Sequence, residues 1–230
     1  MSLELHKLEG YRLAATDGLV GHVEDFYFDD SDWVIRYLVA GTAEHWYDGR
    51  KVLISPISLG RSDPRERTLG LSITREQIRS SPDIDTARPV ARQHEMALFA
   101  HYNYLPYWGG IDVWGDGPYP EDLYPDVYHA PSPDETDSRD DPHLRSLTEV
   151  RGYHIHANDG DIGKVVDLVV DESSWAVEGL LIETGHWWHA SKVLIPPRSI
   201  TDVDWMRSAV SVSLTREALR DGAGEPARLP

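Results

Sequence analysis

The chain has 230 residues, 40% of them hydrophobic and 27% charged, a composition that is typical of a folded globular protein and excludes global disorder. Acidic residues outnumber basic residues by 39 to 22, and the net charge of −17 disfavours binding to nucleic-acid phosphates and anionic lipid headgroups. Because the chain contains no cysteine, disulfides, thiolate zinc sites and cysteine nucleophiles are excluded.

The amino-terminal residues show no targeting signal. Met1 to His6 have neither the basic start nor the apolar run of a signal peptide, and no stretch reaches the roughly 20 apolar residues of a membrane span. We therefore expect a cytoplasmic protein without membrane insertion.

Residues 1–81 are predicted to form a small β-domain. Asp17-Gly18 is a hairpin signal, because its glycine accepts a positive φ. A strand around Gly21 leads to the acidic turn Asp29 to Asp32, and Trp33 to Val39 supplies an aromatic and β-branched strand. Further short elements follow, namely the strands Val52–Ile54 and Leu69–Ile73 and a helical turn capped by Thr74 and Gln77.

Residues 82–142 are predicted to be a helical, aromatic extension followed by a linker. The sequence from Arg92 to Tyr102 predicts a helix with Met96, Phe99 and Ala100 on its apolar face. Asp116 to Asp141 is rich in proline and acidic residues, which is typical of a linker.

The aromatic residues of this extension allow two interpretations. They are Tyr102, Tyr104, Tyr107, Trp108 and Trp114. They could form a contact surface for another protein, because aromatic side chains dominate interface energetics. Alternatively they cover a domain of their own chain, which avoids an exposed apolar patch and its tendency to aggregate.

Residues 143–230 repeat the first domain. The spacing between equivalent residues is about 142, and the repeated residues include Gly10-Tyr11, Asp17-Gly18, Gly21, Val23, Asp25, Asp29, Trp33 and Lys51 to Ile54, which recur as Gly152-Tyr153, Asp159-Gly160, Gly163, Val165, Asp167, Asp171, Trp175 and Lys192 to Ile195. Short strands at close spacing, present twice, predict two small barrels with short terminal helices.

These motifs resemble the PRC-barrel family. The resemblance rests on the Asp-Gly-x-x-Gly-x-Val segment, the strand with a tryptophan or another aromatic residue, and the Lys-Val-Leu-Ile segment, all present in both copies. It covers residues 5–80 and 147–220. The resemblance implies a tandem PRC-barrel protein that acts by contacting other proteins. It implies no catalytic residue, because none is attached to the family.

Histidines are the first candidates for chemistry. His186 and His189, with His45 of the first copy, could present imidazoles to carboxylates in a metal or ligand pocket. Their spacing matches no metal motif, so we expect no metal. His154 and His156 lie two apart on a predicted strand, and we expect them on its surface.

Repeated carboxylates are the second candidates. They are Asp17, Asp25, Asp29, Asp159, Asp167 and Asp171. Because Asp is kept in both copies, turn chemistry explains these residues better than acid–base catalysis does. Gly21 and Gly163 match no nucleotide-binding pattern and are predicted to mark strand bulges.

The sequence favours a non-enzymatic protein-interaction or assembly module. We expect a protein partner, no nucleic acid, no cofactor and no catalytic or metal-binding residue, and association of whole chains is possible. The rival hypothesis is a small-ligand-binding or metal-binding protein, or an enzyme, that uses a histidine and carboxylate pocket near His186 and His189.

Overall fold

The computed structural model describes residues 1–42, 50–82, 90, 92–108, 110–123, 144–184 and 192–219, and within them the fold is mainly β, as the sequence predicts. The chain divides into two compact units. The first-copy unit comprises Leu8–Arg145 with Ser173–Trp175, and the second-copy unit comprises Met1–Lys7, Ser146–Glu172 and Ala176–Pro230.

Short strands make up most of both units. In chain order they are β1 (Ser2–Glu4), β2 (Arg12–Ala15), β3 (Gly18–Asp29), β4 (Val34–Thr42), β5 (Lys51–Ile54), β6 (Leu59–Asp63), β7 (Thr68–Leu71), β8 (Leu144–Ser146), β9 (His154–Ala157), β10 (Gly160–Asp171), β11 (Val177–Thr184), β12 (Lys192–Ile195), β13 (Ile200–Asp204) and β14 (Ala209–Val212). The α-helices are α1 (Arg75–Arg79), α2 (Arg92–Tyr102), α3 (Leu147–Val150) and α4 (Arg216–Ala218). The 3-10 helices are Leu5–Leu8, Pro56–Ser58, Pro120–Leu123 and Pro197–Ser199.

Each unit contains one seven-stranded mixed sheet, and the two sheets have the same strand order. The first-copy order is β5-β4-β3-β2-β7-β6, and the second-copy order is β12-β11-β10-β9-β14-β13. Along each of these two paths, pairing is antiparallel except between β2 and β7 and between β9 and β14, which are parallel. Over the described residues, each path is open and has two end strands.

The predicted hairpins are present in both copies. Ala15 pairs with Gly18, whose φ is +136°, and Ala157 pairs with Gly160, whose φ is +130°. A positive φ is accessible to glycine because glycine has no Cβ, which explains why both copies have glycine here.

The glycine at each predicted bulge allows two backbones to approach closely. The register of β3 against β2 shifts beside Gly21, and that of β10 against β9 shifts beside Gly163. A Cβ at Gly21 would lie 2.2 Å from the carbonyl oxygen of Gly41, and a Cβ at Gly163 would lie 2.0 Å from that of Glu183. Both predictions of a bulge are confirmed, and a larger residue would force the neighbouring strand away.

The two strands that precede the repeats join sheets outside their own repeat. β1 and β8 are equivalent in sequence, because a shift of about 142 residues aligns Leu5 with Leu147. β1 pairs with β10 in the second-copy sheet, whereas β8 pairs with β3 in the first-copy sheet. The chain therefore exchanges two equivalent strands between its two repeats.

Helix positions were predictable from local signals. The predicted helix from Arg92 to Tyr102 is α2, and Thr74 caps α1 through a reciprocal pair of hydrogen bonds with Gln77.

In the described part of the chain, no helix is both long and apolar enough to cross a membrane.

Candidate functional site

The aromatic extension packs inside the first-copy unit. Four of its predicted aromatic residues are buried, and only Trp108 is partly exposed; the buried ones are Tyr102, Tyr104, Tyr107 and Trp114. Trp114 is fully buried and donates its Nε1–H to the carbonyl oxygen of Ser174, at 2.7 Å, within the same unit. Of the two interpretations, the structure supports the one in which these side chains cover their own domain.

A buried carboxylate fixes the extension to β4. Glu95 of α2 has no exposed surface, and its Oε1 accepts hydrogen bonds from the hydroxyls of Tyr37 and Tyr107, both at 2.7 Å. Burial and the neighbouring Glu95 carboxylate raise the pKa of Tyr37 well above its ordinary value. Tyr37 therefore stays a hydrogen-bond donor at neutral pH and stabilises the buried charge.

A buried arginine that precedes Tyr37 in β4 makes a second attachment. Arg36 is 1% exposed, and its guanidinium lies 3.7 Å from the ring centre of Tyr107. It donates to Asp32 at 2.7 Å, to Asp29 at 3.5 Å, and to the carbonyl oxygen of Val113. Ion pairs and cation–π contacts of this kind compensate the loss of hydration of a buried guanidinium.

The cavity beside these residues is too small for an ordinary substrate. Its volume is about 10 Å³, and it is lined by Tyr37, Leu53, Ser55, Leu98, Phe99, Tyr102 and Tyr104. A space of that size is at the limit for a single water molecule.

The buried face of α2 differs from the predicted one. The residues that face the interior are Glu95, Leu98, Phe99 and Tyr102. Of the predicted apolar residues, Phe99 is buried, Met96 is only partly buried and Ala100 is exposed. The prediction that Met96 and Ala100 lie on the buried face of the helix was wrong. Two tyrosine hydroxyls make burial of Glu95 favourable, and the hydrophobic pattern of the sequence does not reveal these hydrogen bonds.

A second cluster lies in the second-copy unit and joins residues from β1, the following 3-10 helix and β10. Ligand-type atoms of Glu4, His6 and Asp167 all lie within 4.8 Å of one another. His6 Nδ1 is 2.5 Å from Asp167 Oδ2, and the His6 backbone N–H donates to both carboxylate oxygens of Asp167, at 3.1 and 3.3 Å. Glu4 and Asp167 are buried, whereas His6 is partly exposed at its ring.

Two cations balance the two carboxylates of this cluster. Lys7 Nζ lies 3.1 Å from Glu4 Oε1, and an Arg151 guanidinium nitrogen lies 3.4 Å from Asp167 Oδ1. The Nδ1–Oδ2 separation between His6 and Asp167 is a hydrogen-bond distance. Together these contacts make the cluster an anchor for the amino-terminal segment, although the same three donor groups are also of the type that binds a divalent cation.

The repeated aspartates serve several structural roles. The backbone N–H of Arg75 donates to Asp17 at 2.7 Å, and that of Arg216 donates to Asp159 at 2.8 Å, so each aspartate holds the start of a short helix. Asp29 accepts the N–H of Ser31 at 2.9 Å, which is the predicted turn chemistry.

The turn interpretation was wrong for Asp25 and Asp167. Both lie within long strands, β3 and β10, beside shifts of register with the neighbouring strand. Asp25 accepts the N–H of Phe26 at 2.8 Å, whereas Asp167 holds His6. A bulge inside a strand offers unpaired N–H groups to a carboxylate much as a turn does, so composition alone does not distinguish the two.

The histidine candidates have different outcomes. His154 and His156 are exposed on one face of β9, so the prediction of a surface position is confirmed. His45, His186 and His189 lie outside the described residues.

Sequence reasoning missed the residues that form the two clusters, namely Glu4, His6, Arg36, Tyr37 and Glu95. No motif marks them. The one available signal was that Arg36-Tyr37 in the first copy stands where the second copy has Glu178-Gly179, a difference inside otherwise matching strands.

Comparisons with known proteins add no relative. A scan against protein-family models and a search of curated proteins each found no match to this chain.

Proposed function

We propose that this chain is a non-enzymatic protein-interaction or assembly module built from two PRC-type barrels. The sequence motifs of both copies support the family assignment, and the shared strand order of the two sheets agrees with it. The backbone turns also support two copies of one domain, because positive φ values occur at the equivalent residues Trp33 and Trp175, at +54° and +58°.

Closure of each sheet into a barrel is supported by the connection between its end strands. β5 ends at Ile54 and β6 begins at Leu59, with only a 3-10 turn between them, and β12 and β13 are joined in the same way. A connection this short holds the two ends of the open path close together. Bulges in β3 and β10 supply the bending that a small barrel requires.

The observation that carries the proposed function is the addition of an extended segment to each sheet. β1 and β8 each join a sheet built by the other repeat, through backbone pairing. Addition of a strand to a sheet edge is a recurrent mode of protein recognition, because backbone hydrogen bonds provide affinity and side-chain sites provide specificity. The two sheets therefore have the architecture of strand-accepting modules.

The proposal is tested by purifying the chain from its native cells under mild conditions and measuring the intact complex by native mass spectrometry. We expect a defined protein partner that rebinds when both proteins are purified and mixed. The control is an unrelated acidic protein of similar charge, measured at low and high salt to remove general electrostatic binding. A chain that carries a stoichiometric small molecule and no protein would overturn the proposal and favour the rival hypothesis.

Metal binding at the Glu4, His6 and Asp167 cluster is a second candidate function. It is favoured by the mutual distance of the three donor atoms, within 4.8 Å, and opposed by the neighbouring cations Lys7 and Arg151. Isothermal titration with Zn²⁺ distinguishes the outcomes. Heat of binding that is lost in His6→Ala and retained in the surface variant His154→Ala would support a metal site, and no heat in either protein would exclude Zn²⁺.

A further inference from the structure

The amino-terminal segment Met1–Lys7 occupies the second-copy unit in the manner of a bound peptide. The covalent chain leads from Lys7 directly into the first-copy unit at Leu8. Within the second-copy unit, residues 1–7 are therefore held by non-covalent contacts alone. This connectivity makes the segment separable from the sheet that it completes.

Backbone pairing gives the segment its register. Ser2 pairs with Asp171, Leu3 with Val170 and Glu4 with Val169 along the edge of β10. The N–H of Glu172 donates to the carbonyl oxygen of Met1, at 2.9 Å, and extends the ladder by one hydrogen bond. Pairing of this kind accepts any extended chain, so it provides affinity without selectivity.

One side chain of the segment provides an observed selective contact, because His6 contacts the buried Asp167 through both its ring and its backbone N–H. Leu5 is fully buried and Glu4 is 6% exposed, so a polar residue at Leu5 would be unfavourable. The site thus favours a sequence in which a buried leucine is followed by a histidine. An apolar residue in place of His6 would leave the Asp167 carboxylate with fewer partners in the interior.

We propose that this edge of β10 is a strand-acceptor site whose ligand in trans is the amino-terminal segment of a second copy of this chain. The segment is the one sequence whose complementarity to the site is visible in the contacts above. In a single chain, the segment competes with a peptide in trans because it is covalently part of the same chain, and this raises its effective concentration at the site. Binding in trans follows when the internal segment is removed or weakened, which is the logic of domain swapping.

This inference rests on the proposed interaction function and deepens it by assigning a site and a partner. The first test uses a variant that lacks residues 2–7 and, as the probe, a fluorescent peptide of residues 1–7. We expect binding with a dissociation constant in the micromolar range, and at least about 100-fold weaker binding to the full chain, whose own segment fills the site. A folded variant that does not bind the peptide at about 1 mM would overturn the proposal.

Control peptides and an acceptor variant show whether binding uses the observed contacts. Peptides with Leu5→Asp or His6→Ala should bind at least about tenfold more weakly. The Asp167→Asn acceptor should bind the unaltered peptide more weakly by a similar factor. It should bind the His6→Ala peptide almost as well as the unaltered acceptor does, because the two substitutions remove the same contact. If the losses in binding free energy from the two substitutions were simply additive, the contact between His6 and Asp167 would be contradicted.

Failure of the shortened variant to fold also gives an answer. In that case, circular dichroism is followed while the peptide is added. Recovery of β-structure with the peptide, and none with the Leu5→Asp peptide, would support the acceptor site. No recovery at about 1 mM peptide would overturn it.

The identity of the partner is tested with a donor and an acceptor chain. The donor is the full chain with Asp167→Asn, which weakens its own site and releases its segment, and the acceptor is the variant lacking residues 2–7. Sedimentation of the mixture should show a one-to-one complex that neither chain forms alone. Peptide binding without this complex would exclude a second copy as the partner, while the interaction function would still stand if native mass spectrometry finds another protein.

Discussion

Strands β4 and β11 occupy equivalent positions in the two repeats, but their surroundings differ. Every residue of β4 is buried, whereas Glu178 and Glu183 of β11 are exposed. β4 has Arg36 and Tyr37 where β11 has Glu178 and Gly179, and the aromatic extension contacts both Arg36 and Tyr37. Two repeats that share their strand order therefore have equivalent strands with different surroundings, and Arg36 and Tyr37 are the residues of β4 that contact the extension.

The difference also accounts for the buried polar network around Arg36 and Glu95 in the first-copy unit. Glu95 and Arg36 are each almost completely buried, and each has polar partners on more than one element of the unit. In the second copy, Leu194 fills the space over Gly179, because a Cβ there would lie 2.7 Å from the Leu194 side chain. Gly179 thus leaves space for Leu194 in the second copy, at the position where the first copy has Tyr37.

Arg36→Ala should have the largest effect of the substitutions considered. It leaves the buried Asp29 without its ion-pair partner and removes the cation from the ring of Tyr107. We expect a decrease of about 3 to 5 kcal/mol in the free energy of unfolding. Urea denaturation measures the change.

The matched control for Arg36→Ala is Glu178→Ala at the equivalent, exposed position of β11. It should change stability by about 0.5 kcal/mol or less. Similar losses in the two variants would contradict the assignment of Arg36 as an attachment for the extension. Arg36→Lys should give an intermediate loss, because lysine retains the charge without the planar fork.

Tyr37→Phe should have the next largest effect. It removes one of the two hydroxyls that donate to the buried Glu95. A hydrogen bond to a buried charged group contributes about 2 kcal/mol, and we expect a loss of that size by thermal or urea unfolding. The control in the second copy is Tyr153→Phe. The hydroxyl of Tyr153 donates to Glu149 at the longer distance of 3.4 Å, so its removal should reduce the free energy of unfolding clearly less.

Alkaline pH should destabilise the first-copy unit through its buried tyrosines. Burial raises the pKa of Tyr102 to about 12. Because the folded pKa lies above the unfolded value near 10, the stabilisation is complete below pH 10 and is lost as the pH rises through 12. Tyr102 alone then accounts for a loss of about 1.4 kcal/mol at pH 11.

Urea denaturation at pH 9 and pH 11 measures this loss, and Tyr102→Phe is the control that should reduce it. Absorbance of the phenolate near 295 nm reports the titration directly. An unfolding free energy with the same pH dependence in Tyr102→Phe would show that this residue does not cause the effect.

The smallest predicted effect is shared by the two copies. Gly10 and Gly152 have φ values of +72° and +88°, and a Cβ at either position would meet no close contact. Replacement by alanine should therefore cost about 1 kcal/mol in each copy, from backbone conformation alone. Calorimetry of Gly10→Ala and Gly152→Ala should give equal losses, and clearly unequal losses would contradict a common backbone geometry.

Local features of the fold were predictable, because they depend on neighbouring residues. The hairpins at Gly18 and Gly160, the bulges at Gly21 and Gly163, and the helix from Arg92 to Tyr102 follow from backbone conformation and hydrophobic spacing. The burial of the aromatic extension was one of two predicted alternatives, and the structure selected between them.

The two clusters were not predictable, because they join residues that are distant in the sequence. Glu95 is buried only because Tyr37 and Tyr107 reach it, and His6 contacts Asp167 only because β1 joins the sheet of the other repeat. The sequence equivalence of Leu5 and Leu147 shows that the two strands correspond, but it does not specify which sheet each one joins.

The exchange of β1 and β8 also affects the order in which the protein forms during synthesis. Residues 1–7 are made well before their partner strand β10, which ends at Asp171. At 5–20 residues per second, the segment remains without its partner for roughly ten to thirty seconds. Closing so long a loop is slow compared with forming a hairpin, so the ladder between β1 and β10 is expected to be among the last structures to form, and the two repeats complete their folding together.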